Sequence, residues 1–353
     1  MREQDLTLPL RQQVQHALKT ATPLAIVGGN SKAFYGGDCR ATERLQLAEH
    51  CGVIDYEPSE LVITARSGTT LAALDALLAR HGQMLAFEPP RFGEQSTIGG
   101  ALACGFSGPR RPFAGSARDF TLGCKIINGH GEVLSFGGRV MKNVAGFDVS
   151  RLMVGALGTL GVLLEVSLKV LPLPEYELTL VQAMTVDEVL PRMAGLMSQP
   201  WPLSALAHDG RYLRIRLSGA QTAVAAAARR LGGDSDNADE SFWKDLREQR
   251  LAFFARPGAL WRVSLAPATP MLPLSGDWFI DWGGGLRWLK TDQPAAAIHQ
   301  AIARSGGHAV CFRGVDKSDW LRLEPALQAL QEKVRAAFDP AGLFNPGRLA
   351  FKT

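Results

Sequence analysis

Three glycine-rich segments in the first half of the chain place the tightest constraint on what it can fold into. The first, Gly28-Gly29-Asn30-Ser31, directly follows the apolar run Leu24–Val27. The second opens a short helical pattern and reads Ser96-Thr97-Ile98-Gly99-Gly100. The third is Gly155-x-x-Gly158-x-x-Gly161, just before Val162. Because glycine lets successive backbone N–H groups converge on an anion without a Cβ in the way, the three segments together indicate a large diphosphate ligand held mainly by backbone.

Each of these segments also has a purely structural interpretation when it is taken alone. A Gly-Gly pair after a buried strand is a turn, and Ser96 or Thr97 is an ordinary helix N-cap. The third segment is a tight connection between a helix and a strand. Only their occurrence together in one domain, with no carboxylate or metal constellation beside them, favours ligand binding.

Several common catalytic signatures are missing from the sequence. It contains no G-x-G-x-x-G, G-x-x-x-x-G-K-[ST], H-E-x-x-H or G-x-S-x-G motif. The sequence therefore does not favour a nicotinamide Rossmann enzyme, a P-loop NTPase, a zincin or an α/β-hydrolase. The seven histidines do not pair at helical spacing, and the five cysteines form no C-x-x-C pair, so no metal site, iron–sulfur cluster or disulfide framework is expected.

Charge and hydropathy narrow the choice of partners. The 38 Lys+Arg and 34 Asp+Glu residues give a net charge of +4 without a basic block, so nucleic acid is not an expected partner. The longest charge-free apolar run, the 13 residues between Arg151 and Glu165, is shorter than the roughly 20 residues that span a bilayer. Met1–Thr20 has no apolar signal-peptide core, which favours a cytoplasmic location.

The order of predicted elements indicates an α+β protein with two domains. The first domain is expected to cover residues 1–172, because Leu171-Pro172-Leu173-Pro174 ends regular structure. Alternating strands and helices then predict a sheet covered by helices, with Gly283-Gly284-Gly285 as a tight turn between strands. The predicted helices are Pro9–Thr20, Thr70–His81, Thr97–Cys104, Val149–Val154, Val186–Ser198, Gln221–Leu231 and Leu321–Phe338.

The ordered motifs resemble the vanillyl-alcohol oxidase, or PCMH-type, family of FAD-binding flavoproteins, which also contains D-lactate dehydrogenases. The matching stretches are Gly28–Ser31, Glu88-Pro89-Pro90 with Ser96–Gly100, Arg118–Gly131, Lys142–Asp148, Gly158–Val162 and the C-terminal Phe338–Arg348. This resemblance implies a PCMH-type FAD-binding domain at 1–172, a smaller α+β cap domain at 173–335, and a segment at 336–353 that returns to the FAD domain.

The same resemblance implies which residues hold the cofactor. FAD is expected to bind noncovalently, because Asn30 or Ser31 fills the position where many relatives carry a histidine that attaches the flavin. Arg110, Arg111 or Arg348 is expected to supply positive charge near the flavin ring. The simpler interpretation of the adjacent pair Arg110 and Arg111 is an exposed loop pair or a subunit contact. No catalytic residue and no metal ligand is assigned. The expected cofactor-binding residues are Gly28, Gly29, Asn30, Ser31, Pro89, Ser96, Thr97, Ile98, Gly99, Gly100, Gly161, Val162 and Asn345.

A closer resemblance is to the FAD-binding subunits of bacterial glycolate oxidases. It rests on Gly105–Phe113, Arg139–Arg151 and Ile280–Lys290. It implies that a complex oxidises glycolate, a small 2-hydroxy acid, to glyoxylate. The expected partners are a larger FAD-containing catalytic subunit and an iron–sulfur subunit, through which the protein would contact the inner membrane peripherally.

Two other functions remain open from sequence. The first is a self-sufficient FAD-dependent 2-hydroxyacid dehydrogenase of the D-lactate type. The sequence favours this function less, because the chain lacks an H-x-G-D-G-N-L-H-type segment in its second half. A noncatalytic subunit that binds FAD for stability alone would keep the same motifs. Trp282, Trp288 and Trp320 are expected in the core rather than at a partner surface.

Overall fold

The computed structural model describes residues 3–138, 148–235, 240–314, 317 and 320–349. The chain divides into two compact units. The first unit comprises Met1–Ser107, Ser116–Leu173 and Leu323–Thr353, and the second comprises Gly108–Gly115 and Pro174–Arg322. Of the motifs that carry the family resemblance, the stretch 139–147 lies outside the described residues.

The C-terminal return to the first unit begins earlier than expected, at Leu323 rather than at 336. Backbone hydrogen bonds hold the end of this C-terminal segment to the first unit. The N–H of Gly129 donates to the Phe338 carbonyl at 2.8 Å, and the N–H of Leu24 donates to the Leu343 carbonyl at 2.8 Å. Both carbonyl acceptors lie within the expected segment 336–353, and the Pro325–Phe338 helix is grouped with the first unit as well.

An antiparallel sheet and two short strand pairs form the framework of the first unit. Its helices are Thr7–Thr20, Leu71–Ala79, Ile98–Cys104, Ala117–Phe120, Val149–Met153 and Pro325–Phe338. Its strands are β1 (Leu24–Val27), β2 (Glu43–Gln46), β3 (Val53–Glu57), β4 (Val62–Arg66), β5 (Gln83–Met84), β6 (Thr121–Ile127), β7 (Val133–Gly137), β8 (Val162–Lys169) and β9 (Leu171–Pro172).

Within the described residues, five of these strands pair in the order β3-β4-β8-β6-β7. Strand β8 is central and largely buried, as its apolar sequence predicts. Strand β1 pairs in parallel with β2. Only Leu24 of β1 is fully buried, although the whole strand is apolar, because Ile26 and Val27 border a cleft.

The second unit is built on a larger antiparallel sheet. Its helices are Arg111–Ala114, Val186–Met197, Gln221–Leu231, Glu240–Glu248, Ala252–Ala255 and Ala295–Arg304. Its strands are β10 (Tyr176–Ala183), β11 (Leu203–His208), β12 (Tyr212–Gly219), β13 (Asp234–Ser235), β14 (Ala259–Ser264), β15 (Asp277–Asp281), β16 (Leu286–Thr291) and β17 (His308–Arg313). These strands are ordered β13-β10-β12-β11-β15-β16-β14-β17.

Helices cover this sheet, as the alternating pattern predicts. Met193 of one helix and Val224 of the next are buried against Ile215 of β12. The aromatic rings of Phe254 and Trp288 meet edge to face, with centroids 5.7 Å apart. Trp282, Trp288 and Trp320 are all buried, which confirms that they are core residues.

Candidate functional site

A cleft in the first unit brings together the glycine-rich segments. Its empty space is about 760 Å³ when the open solvent at its mouth is included. The cleft lies where β1 ends, beside the start of the Ile98–Cys104 helix and the turn before β8. Its lining consists of Ile26, Val27, Gly28, Gly29, Asn30, Ser31, Lys32, Ala33, Leu47, Ser67, Thr97, Gly99, Gly100, Ala103, Cys104, Leu157, Gly158, Gly161, Leu163, Asn345 and Arg348.

The first glycine segment packs directly against the second. A Cβ atom on Gly28 would lie 2.5 Å from the Thr97 hydroxyl, and one on Gly29 would lie 1.5 Å from the Gln95 carbonyl oxygen. Asn30 follows in the left-handed region, with φ 56°. Glycine is therefore needed here for two loops to touch, whatever ligand they hold.

The second segment begins a helix and rests on the end of β4. The Thr97 hydroxyl accepts a hydrogen bond from the Gly100 N–H at 3.3 Å, which makes Thr97 the N-cap. The Gly99 N–H donates to the Ser67 carbonyl at 2.9 Å. A Cβ on Gly99 would lie 2.6 Å from the Ser67 Cβ, so this glycine also serves close packing.

Asn345 ties the third segment to β1. Its Oδ1 accepts a hydrogen bond from the Ile26 N–H at 2.8 Å, and its Nδ2 donates to the Leu157 carbonyl at 2.7 Å. Gly158 has φ +69°, and a Cβ there would lie 2.6 Å from Asn345 Nδ2. The side chain of Asn345 thus fixes two walls of the cleft through buried hydrogen bonds.

Two basic residues and one thiol complete the chemistry of the cleft. Lys32 is only 6% exposed, and Arg348 donates from Nη1 to the Ala33 carbonyl at 2.9 Å. Burial raises the pKa of the Cys104 thiol to about 11, although the charges of Lys32 and Arg348 act in the opposite direction. Arg348 was predicted from the sequence, whereas Lys32 was not, since its one sequence signal is its position directly after Ser31.

The structure brings most of the predicted cofactor-binding residues together. The predicted residues that line the cleft are Gly28, Gly29, Asn30, Ser31, Thr97, Gly99, Gly100, Gly161 and Asn345. Four others lie elsewhere. Ile98 and Val162 are fully buried in the core, Pro89 is buried, and the Ser96 hydroxyl accepts a hydrogen bond from Lys32.

Arg110 and Arg111 do not belong to this cleft. Both lie in the second unit, where Arg110 pairs with Glu177 and Arg111 stacks over Trp282 with its guanidinium carbon 4.3 Å from the ring centroid. Neither is among the residues that line the cleft, and the expectation that one of them supplies charge near the flavin ring stays a prediction. Arg348 is the predicted arginine that lines the cleft.

The described part of the chain shows neither a cluster of metal ligands nor a membrane-spanning helix. No group of three or more His, Cys, Asp or Glu side chains is placed there to hold a metal ion. Among the same residues, no helix is both long enough and apolar enough to cross a membrane.

Comparison with known proteins identifies the family to which the chain belongs. The FAD binding domain family matches residues 10–137. The glycolate oxidase subunit GlcE of Escherichia coli (strain K12) is 47% identical over 349 residues, which is 99% of each chain. The chain belongs to the GlcE family. This membership confirms the resemblance to glycolate oxidase FAD-binding subunits.

Two further similarities cover part or nearly all of this GlcE-family chain. The glycolate oxidase subunit GlcD of Bacillus subtilis (strain 168) is 32% identical over 155 residues, 43% of this chain and 33% of that protein. A solved structure of alkyldihydroxyacetonephosphate synthase shares the fold, with a TM-score of 0.68 and 16% identity, over 96% of this chain and 74% of that one. The predicted α+β fold with a PCMH-type FAD-binding domain is confirmed.

Proposed function

We propose that this GlcE-family chain holds FAD noncovalently in the cleft of its first unit, as a subunit of a glycolate-oxidising complex. The observation that carries the proposal is the cleft itself. Two glycine loops and the buried cation Lys32 meet there, and the glycine loops lie within the stretch that matches the FAD binding domain family. FAD supplies the redox chemistry when bound, while the residues of the chain bind and orient it.

The lining residues support noncovalent binding. None of the described residues that line the cleft is a histidine or a tyrosine. Cys104 is a possible covalent anchor by residue type, but a thiol whose pKa is raised to about 11 stays protonated at neutral pH and is a poor nucleophile. Under ultraviolet light, a denaturing gel of the purified chain should show no fluorescent band. A band that retains flavin fluorescence would contradict noncovalent attachment.

The oxidation of glycolate is proposed for the assembled complex. The sequence lacks the histidine-rich segment of self-sufficient relatives and any cysteine cluster, so a GlcD-like flavoprotein subunit and an iron–sulfur subunit would supply those groups. We place the chain in the cytoplasm, with any contact to the inner membrane made through these partners. The reducing equivalents from glycolate would pass through flavin to the iron–sulfur subunit.

Omission of single subunits tests this assignment. The three chains would be co-expressed together and in each pair, and glycolate-dependent reduction of an artificial acceptor measured. We expect activity from the full set, none from this chain alone, and loss of activity when this chain is left out. Turnover of glycolate or D-lactate by the isolated chain would instead identify a self-sufficient dehydrogenase. Full activity with a flavin-free variant of this chain would identify a structural subunit.

A further inference from the structure

Lys32 is a buried cation that joins the two glycine loops of the cleft. It is 6% exposed, and burying an ammonium group is costly unless nearby groups compensate its charge. Its Nζ donates to the Ser31 hydroxyl at 3.2 Å within the first loop. It also donates to the Arg91 carbonyl at 3.1 Å and to the Ser96 hydroxyl, both in the second loop.

These contacts span a long stretch of sequence. Lys32 is 59 residues from Arg91 and 64 from Ser96, so its side chain acts as a cross-link between distant segments. The Phe92 ring centroid lies 6.0 Å from Nζ and adds a cation–π contact. The loops also touch through Gly29 and Gln95. The ammonium group therefore sits where the spacing of the two loops is set.

The charge of Lys32 also reaches the interior of the cleft. Lys32 lines the cleft together with the half-buried Cys104, and its positive charge lowers the pKa of that thiol against the larger raising effect of burial. A diphosphate group that lies between the loops would bring negative charge next to this cation. At a partly buried site such a charge pair is screened less than at the surface.

We infer that Lys32 is the residue that selects a diphosphate: its ammonium group fixes the spacing of the two glycine loops and compensates the charge of the diphosphate between them. This inference rests on the proposed function and names the part of the cofactor that this side chain recognises. The ligand class is an organic diphosphate, represented by FAD and by ADP.

Three variants of the full chain test the inference. Lys32→Met removes the charge and the donors, and Lys32→Gln removes the charge but keeps a donor for the loop contacts. Lys19→Met removes an exposed lysine of the same unit as the matched control. Affinities for FAD and for ADP would be measured by titration at low and high salt.

We expect Lys32→Met and Lys32→Gln to weaken the binding of both FAD and ADP by about 10- to 100-fold, because one hydrogen-bonded charge is lost. The affinity of each variant should also depend less on salt concentration. Lys19→Met should bind both as the wild type does. Equal weakening of FAD and ADP assigns the effect to the ADP part that they share, and competition by inorganic pyrophosphate narrows it to the diphosphate. General damage to the fold would also lower the melting temperature of the chain without ligand. Wild-type affinity for both ligands in Lys32→Met would overturn the inference.

A measurement on the wild-type chain keeps the test independent of folding in the variants. Inorganic pyrophosphate, which has the charge but no organic part, should compete with FAD at millimolar concentration. Absence of competition would contradict recognition of the diphosphate by Lys32. If the wild-type chain bound neither FAD nor ADP, the proposed function itself would fail, and this outcome is distinct from FAD binding that is insensitive to Lys32.

Discussion

Replacing Gly29 with alanine should separate the two glycine loops. A Cβ at this position would lie 1.5 Å from the Gln95 carbonyl oxygen and 2.4 Å from its carbon. Because real Cβ contacts essentially never fall below 3.0 Å, the loops must move apart by about 1.5 Å. Overpacking of this kind costs about 1–3 kcal/mol, and the upper end applies because the obstacle is backbone rather than a flexible side chain.

The predicted consequence is a loss of both stability and FAD affinity. A cost near 3 kcal/mol lowers the melting temperature of a domain of this size by about 6–12 °C. The same movement takes the backbone N–H groups of the first loop away from the second, so FAD should bind at least about tenfold more weakly. Thermal unfolding without ligand and titration with FAD would measure the two effects separately.

Gly195→Ala is the matched control for this substitution. Gly195 is exposed within the Val186–Met197 helix, and a Cβ there would meet nothing within 4 Å. Alanine should stabilise this helix by about 0.5–1 kcal/mol and leave FAD affinity unchanged. Wild-type melting temperature and wild-type FAD affinity in Gly29→Ala would refute the argument that this glycine is required for contact between the loops.

Three further predictions follow from buried polar groups. Asn345→Ala should lower the free energy of unfolding by about 2–4 kcal/mol and reduce FAD retention, because it leaves the Ile26 N–H and the Leu157 carbonyl without their partner; chemical denaturation that matches the wild type would contradict this. Burial lowers the pKa of His50 and of His208 below the ordinary value of 6.5, so the unfolded chain binds more protons in acid and stability should fall as the pH drops below about 6.5. Denaturation at pH 7.5 and 5.5 measures this loss, which His50→Gln should diminish. Burial raises the pKa of Cys104 to about 11, so only about one thousandth of the thiol is ionised at pH 8. Iodoacetamide should therefore label Cys104 far more slowly in the folded than in the denatured protein. Peptide mass spectrometry would measure the two labelling rates.

The sequence predicted the loops of the site better than the side chains between them. Gly28–Ser31 was identified because glycines directly follow an apolar strand, and that local pattern needs no knowledge of distant residues. Lys32 was missed because a lysine after a loop is usually solvated. Its burial depends on Arg91 and Ser96, about sixty residues later, and only the folded chain brings them together.

Two of the expected cofactor-binding residues show a second limit of assignment from motifs. Ile98 and Val162 lie beside glycines that line the cleft, yet each is fully buried in the core. A helix or strand turns successive side chains in different directions, so neighbours in a motif do not share a surface. Motif matching assigned the whole segment, whereas the geometry selects particular residues from it.

Strands that depend on pairing were also missed. The β2 strand Glu43–Gln46 is polar, with only Leu45 buried, and its conformation is stabilised by parallel pairing with β1. In β16, the fully buried Arg287 donates hydrogen bonds to the carbonyls of Pro270 and Gly284. A buried arginine gives no apolar pattern, so its strand could not be recognised from periodicity.

The most direct test of the account is the flavin stoichiometry of the purified chain by itself. The chain would be stripped of any ligand, titrated with FAD, and followed through the change in flavin absorbance and fluorescence. The account predicts saturation at one FAD per chain, and full release of that FAD into the supernatant on acid precipitation. A folded chain that binds no FAD, or one whose FAD stays with the precipitate, would contradict noncovalent binding in the cleft between the glycine loops.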